Sequence, residues 1–263
     1  MKPIVFVGGG RITSALIAGL QLVKFGRRIV VHDRHAAKLQ QLRRQYGITA
    51  EPDLRQAVDC AGLLIIAVRP DAVRPLLKAI MPFARRRLTV VSLAAGVPLA
   101  KLRSAIPSLR WARAMPSPVC RSGRGLTALA FDRDVTPGAR AEVRKLFSRV
   151  GQVIEIPEKR FDGFTVAYSS SHGYHALATL IAAAEAIGLD LRTARTAATH
   201  ALADGIDAWR KGNVPLQELL QEAATPGGTA AAVMASLDRA GYKNILQQGL
   251  RAGIRQARKN AAR

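Results

Sequence analysis

Two cysteines, Cys60 and Cys120, are all that a chain of 263 residues carries. They form neither a disulfide framework nor a metal-ligand cluster, which excludes a small secreted scaffold and a zinc module; both read as buried or incidental, and no metal is expected. Aromatic residues are also scarce, at 5% of the chain. Acidic residues are outnumbered, 18 against 40 lysines and arginines, for a formal net charge of +22 and a pI near 11.4. Such a charge attracts polyanions at low salt. The basic residues nevertheless lie scattered in short runs such as Arg27-Arg28, Arg43-Arg44 and Arg85-Arg86-Arg87, with few aromatics among them and no nucleic-acid motif. Arg251, Arg255, Arg258 and Lys259 fall at helical spacing and read as a solvated face. Nucleic acid is therefore not expected as the main partner. No apolar run reaches the roughly 18 residues of a membrane span, and no signal core follows the N-terminus. The expectation is a cytoplasmic protein without membrane contact, and the hydrophobic content of 49% supports a globular one.

What is present is a glycine turn. VFVGGGRITSALIAGL, Val5 to Leu20, sets three glycines between an apolar run and a helical pattern. Gly8 and Gly10 let the backbone turn sharply and approach a pyrophosphate, while the N–H groups opening the next helix offer it a positive end. The third glycine of the usual fingerprint falls on Thr13, so the motif alone fits either a dinucleotide site or a tight turn.

Context extends the first reading. Helix-like and strand-like segments alternate: a helix over Arg11 to Phe25, strands at Arg28 to His32, Leu63 to Val68 and Leu88 to Leu93, and helices over Ala36 to Tyr46, near Asp71 and from Pro98. Further strands fall near Leu109 to Ala114, Leu126 to Ala130 and Gln152 to Ile156, with a helix over Pro137 to Arg149. These apolar, β-branched runs suit a parallel sheet covered on both faces. From about Phe161 the chain becomes alanine-rich and helical. The fold class is therefore α/β: a Rossmann-type doubly wound domain over residues 1–157, then an all-α domain over 158–263. The alanine faces allow close helix packing or a subunit interface.

A Rossmann reading predicts a polar residue roughly twenty positions after the glycines, at the end of the second strand. Asp33 stands there. Its carboxylate accepts from the ribose hydroxyls of NAD and repels the 2′-phosphate of NADP, whereas Arg34 attracts that phosphate. Asp33 alone leans the reading toward NADH; a bare helix cap at Asp33 with a solvated Arg34 is the alternative.

The chain resembles the pyrroline-5-carboxylate reductases, which reduce a cyclic imine with a nicotinamide cofactor to complete proline biosynthesis. The likeness rests on GGGRITSALIAGL, AVRP (Ala67 to Pro70), VVSLAAGVPLAKL (Val90 to Leu102), RAMPSP (Arg113 to Pro118) and ATPGGTAA (Ala224 to Ala231), in order and nearly end to end. The resemblance implies a Rossmann domain followed by a helical domain that dimerises, with NAD(P)H as cofactor and a small imine as substrate. It also implies that Gly8, Gly10, Arg11 and Ile12 meet the pyrophosphate and that Ala67, Val68, Arg69 and Pro70 lie beside the cofactor ribose. Ala95, in the AAG turn, would lie near the nicotinamide. Arg69 replaces the family's more usual lysine, so a planar fork stands where a point charge is common.

The substrate segments depart further from the family. Alignment on Asp162, Thr165 and Tyr174 places Ser170 on a family serine, while Tyr168 replaces a small serine, Ser169 and Ser171 replace glycines and His172 replaces a proline. Ser170 and Ser171, opening a helix, are candidates for the substrate carboxylate, with helix capping as the other role for Ser170. His172 is either a proton donor or a structural, solvent-facing residue. In TPGGT, Gly228 and Thr229 are candidate substrate contacts, and Thr229 is either the hydroxyl hydrogen-bonded to the ring nitrogen or a helix cap; Ala230 stands where the family has threonine. Ser117, Pro118 and Val119 replace the family's Asn-Thr-Pro. Kept cofactor elements beside altered substrate elements leave two alternatives to pyrroline-5-carboxylate reduction: a reductase of a related imine, or a non-catalytic dinucleotide-binding regulatory protein.

Overall fold

The computed structural model describes residues 2–262. In chain order the elements are β1 (Ile4–Val7), α1 (Arg11–Leu22), β2 (Ile29–His32), α2 (Ala36–Tyr46), β3 (Thr49–Ala50), α3 (Leu54–Cys60), β4 (Leu63–Ile66), α4 (Pro70–Ile80), β5 (Thr89–Ser92) and α5 (Leu99–Ala105). There follow β6 (Arg110–Pro116), β7 (Gly125–Phe131), α6 (Pro137–Ser148), β8 (Gly151–Glu155), α7 (Glu158–Ala167), α8 (Ser170–Ala186), α9 (Leu191–Lys211), α10 (Leu216–Ala223), α11 (Thr229–Arg239) and α12 (Tyr242–Ala262).

The strands form one sheet ordered β3-β2-β1-β4-β5-β6-β7-β8. Side chains of a strand alternate between faces, and both faces here are apolar. Val5, Val7, Leu64, Ile66 and Val90 belong to one core, and Ile4, Phe6, Leu63, Ile65 and Val91 to the other. This two-sided burial is why the strands read as unbroken apolar runs.

Three details differ from the expectation. First, β6 and β7 pair antiparallel, whereas every other neighbouring pair is parallel. The link between them holds only a short 3-10 helix, Pro118–Ser122, and a parallel crossover needs about a dozen residues or more. Second, α1 stops at Leu22 rather than Phe25, because Lys24 takes a left-handed φ of 48° that ends the helix. Third, β3 and α3 occupy a stretch where periodicity predicts no element. A two-residue strand is too short to show a period, and the start of α3 is marked by Asp53, whose side chain accepts from Gln56 N at 2.8 Å.

The chain divides into two compact units, one running to Tyr168 and including the segment from Ala252, the other spanning Ser169–Arg251. The first holds the sheet and its covering helices. The second is helical throughout, and α8 packs on α9. Among its described residues only Ala194 and Ala198 are buried apolar side chains, while Ile187, Ile206, Trp209, Val233 and Ile245 are exposed.

Candidate dinucleotide and substrate sites

The parallel register lines up the carboxyl ends of four strands. Val7 pairs with His32 and Ile66, and Ile66 pairs with Ser92. The loops that follow therefore emerge along one edge: Gly8 to Ile12 after β1, Asp33 and Arg34 after β2, Ala67 to Pro70 after β4 and Ala95 after β5. The chain leaves β1 for β2 on one side and returns to β4 on the other, which makes the β1/β4 crevice the switch point where ligands of such sheets bind.

The glycine turn has the shape a pyrophosphate requires. Gly8 has φ +110°, and a Cβ there would stand 2.6 Å from the Ala67 carbonyl oxygen, so the β1 and β4 loops meet at a distance only glycine permits. Gly10 caps α1 with no side chain occupying its N–H groups, and the space beside it is open. The first turn of α1 carries no acidic residue, and Arg11 is exposed. Free N–H groups, the positive end of the helix and a cation meet at one place, which suits an anionic diphosphate. Thr13, at the third glycine position, is fully buried and donates its hydroxyl to the Gly8 carbonyl at 2.5 Å. The departure from the fingerprint thus holds the turn from inside.

Asp33 follows β2 with both oxygens engaged. Oδ2 accepts from Gly9 N at 2.8 Å, and Oδ1 from His35 N at 2.9 Å and lies 2.8 Å from His35 Nδ1. Burial pushes its pKa up, but the backbone N–H groups of His35 and Gly9, the His35 ring and the Lys38 charge more than offset this. The carboxyl titrates below its ordinary value and is ionised at neutral pH. The cap of α2 falls on His35, so the alternative reading of Asp33 as that cap is corrected; its carboxylate instead joins the glycine turn to the end of β2. Arg34 is exposed beside it.

Arg69 caps α4 and its guanidinium lies 3.5 Å from Asp71, with Pro70 opening the helix. Ala95 precedes Gly96, whose φ of +75° and near contact with the Ala257 carbonyl bring the α12 backbone against the turn.

Sequence reasoning missed a buried ionic network in the same unit. Arg113, only 1% exposed on β6, donates from Nη1 to Glu158 Oε1 at 2.9 Å and from Nη2 to Asp162 Oδ1 at 3.4 Å. Its guanidinium carbon lies 4.2 Å from the centre of the Phe161 ring. Glu158 Oε1 also accepts from Leu99 N at 2.9 Å, and Asp162 Oδ2 from Arg258 Nε at 3.1 Å. Two carboxylates on one face of α7 thereby join β6, the start of α5 and the last turns of α12. The only sequence signal was an arginine inside an apolar strand.

The residues proposed to meet substrate lie in the second unit. Ser170 opens α8, but the cap is Ser169, whose hydroxyl accepts from Ser171 N at 3.4 Å. His172 is exposed in the first turn, its N–H bonded to the Ser169 carbonyl at 3.0 Å. Thr229 opens α11 and is exposed; the cap there is Gly228, and its N–H bonds the Thr225 carbonyl at 2.8 Å. The capping roles considered for Ser170 and Thr229 therefore fall one residue earlier, which leaves both hydroxyls unengaged by a cap. Tyr168, at the end of the first unit, accepts a hydrogen bond from Leu126 N at 2.7 Å and packs against Phe164.

Residues 3–96 match the family described as NADP oxidoreductase coenzyme F420-dependent, and residues 158–260 match pyrroline-5-carboxylate reductase dimerisation. A pyrroline-5-carboxylate reductase of Corynebacterium melassecola is 30% identical over 259 residues, 96% of each chain, and one of Synechocystis is 29% identical over 95% of each. Among solved structures, a pyrroline-5-carboxylate reductase from Coxiella burnetii superposes with a TM-score of 0.86 at 22% identity over 99% of this chain and 98% of that one. The Plasmodium falciparum pyrroline carboxylate reductase with NADP bound gives 0.83 at 19% identity over 98% of each. At 30% identity along 96% of both chains, and with residues 158–260 matching the family's dimerisation part, the chain belongs to the pyrroline-5-carboxylate reductase family.

Proposed function

We propose that this protein reduces L-1-pyrroline-5-carboxylate to L-proline with a reduced nicotinamide dinucleotide, in the cytoplasm, as a homo-oligomer joined through its helical part. The observation that carries this reading is the 30% identity, along 96% of both chains, to a protein of that name. Residues 1–157 hold the dinucleotide, and 158–263 supply the subunit interface and the substrate contacts. The exposed apolar side chains of α9 and α11 support the interface. Bound, the nicotinamide supplies the hydride that adds to the imine carbon. The chain's part is to orient the substrate and bring a proton to the ring nitrogen. The N–H groups opening α8, with Ser170 and Ser171, take the substrate carboxylate. Gly228 and Thr229 approach the ring, and the Thr229 hydroxyl hydrogen-bonds its nitrogen; His172 is the titratable group nearest in sequence to the carboxylate contacts.

The cofactor preference follows from Asp33. A carboxylate held ionised at the end of β2 accepts from ribose hydroxyls and repels a 2′-phosphate, so NADH is the preferred donor in spite of Arg34. The test follows NADH and NADPH oxidation with pyrroline-5-carboxylate, by the wild type and by Asp33→Ser. The wild type is expected to turn over with a higher kcat/KM for NADH, and the variant to shift the ratio toward NADPH by roughly tenfold, about 1.4 kcal/mol of differential binding. A wild-type preference for NADPH would sink the cofactor assignment. Cofactor binding without turnover would favour a related imine or a non-catalytic role.

A further inference from the structure

Five basic residues meet at the opposite edge of the sheet. The amino ends of the central strands are in register, Ile4 with Leu63, Leu63 with Thr89 and Thr89 with Arg110. Around this row a pocket of about 340 Å³ is lined by Lys2, Arg85, Arg86, Arg87, Arg110 and the start of α6 at Thr136. Its one carboxylate, Glu142, is already taken by Arg27 Nη1 at 2.5 Å, and Arg27 also donates to the Lys2 carbonyl. Arg85 donates to the Ala61 carbonyl. Arg86, Arg87, Arg110 and Lys2 have no acidic partner among the described residues. Four like charges line one concave site whose single carboxylate is paired with another arginine, at a cost in mutual repulsion that a bound anion would lower.

We propose that this pocket binds a short, free polyphosphate chain. Several features favour that ligand over other anions. Arginine forks match phosphate oxygens in pairs, and four cations without an acidic partner, with Arg85 beside them, are more than a single phosphate needs. The first turn of α6, free of acidic residues and capped by the Thr136 hydroxyl on Ala139 N, adds the positive end of its dipole. No aromatic ring lines the pocket, so a nucleobase would find no surface to stack on, which disfavours single-stranded nucleic acid. The site is an open concavity of limited extent rather than the extended basic stripe a duplex calls for. It lies at the amino ends of the strands, whereas the dinucleotide turn lies at their carboxyl ends, so the two sites are separate.

Titration calorimetry of the whole protein with tripolyphosphate at about 150 mM salt, where long-range attraction is screened, tests the proposal. The expected result is saturable binding of one tripolyphosphate per chain. Arg86→Ala/Arg87→Gly is expected to weaken it at least tenfold, with melting and reductase activity unchanged, because both side chains are exposed and Arg87 sits at a φ of +62° that glycine takes readily. Arg110→Gln is a second, independent variant expected to weaken it in the same way. Arg55→Ala/Arg133→Ala removes the same charge from exposed sites outside the pocket and should leave binding intact. Absence of binding in the wild type overturns the proposal. So does equal weakening in the control pair, or tight binding of an oligonucleotide that tripolyphosphate fails to displace.

Discussion

Replacing Gly8 with alanine is expected to cost both fold and cofactor, whereas replacing Gly10 costs cofactor alone. At Gly8 the backbone sits at φ +110° and the added methyl would overlap the Ala67 carbonyl, so β1 and β4 must part just where the crevice opens. The conformational strain alone is worth roughly 1–3 kcal/mol, and the overlap adds to it. Since Gly8 N bonds the His32 carbonyl and Thr13 the Gly8 carbonyl, the shift spreads to β2 and α1. At Gly10 nothing lies within 4 Å of the added methyl, and its φ of −80° suits alanine. On the proposed reading, what would meet a methyl there is the dinucleotide. Thermal melting and NADH titration of both variants separate the two effects. Gly8→Ala should melt several degrees lower and bind NADH more than about tenfold more weakly. Gly10→Ala should melt like the wild type and still lose affinity. If Gly10→Ala binds NADH normally, the pyrophosphate does not lie against this turn.

Truncating Arg113 should be clearly destabilising. It removes the charge that two part-buried carboxylates on α7 face, and because Glu158 is 32% exposed and Asp162 keeps Arg258, the expected cost is about 2 kcal/mol, below that of breaking a fully buried pair. Arg113→Ala also opens space over Phe161, which is itself fully buried. Two atoms of the network, Arg113 Nε and Glu158 Oε2, are buried with no hydrogen-bonding partner, so the native arrangement is not at its electrostatic optimum. The double variant Arg113→Met/Glu158→Gln removes both charges and keeps an acceptor for Leu99 N. It should therefore recover a large part of the loss. Urea unfolding of the two variants measures this, and a loss below about 1 kcal/mol for Arg113→Ala would show that solvent screens the network after all.

Those two sites also mark what could be read in advance. The glycine turn, Asp33 and the run of parallel strands are written in local patterns: a turn residue at a fixed offset, unbroken apolar runs, a polar residue after the second strand. The antiparallel pairing of β6 with β7 is not local, because it depends on how short the link at Pro118–Ser122 is once both strands are placed. Thr13 looked like a gap in the fingerprint until its hydroxyl was seen to tie Gly8. Arg113, Glu158, Asp162 and Arg258 lie up to 145 positions apart in the chain, and only the packing of α7 and α12 against β6 makes them neighbours. The capping serine and glycine of α8 and α11 came out one residue before the candidates because capping is settled by backbone dihedrals that adjacent polar residues do not reveal. The basic pocket escaped notice for the same reason as the network: Lys2, Arg85 to Arg87 and Arg110 meet only through sheet register.

The helical unit, with two buried alanines and a surface of isoleucine, valine and tryptophan, has one last consequence. If the homo-oligomer proposed above forms through these helices, part of their stability comes by mass action, since a second copy then removes the exposed apolar surface from water. The melting midpoint of such a protein is a function of its own concentration, and at sufficient dilution the unit should loosen before the sheet does.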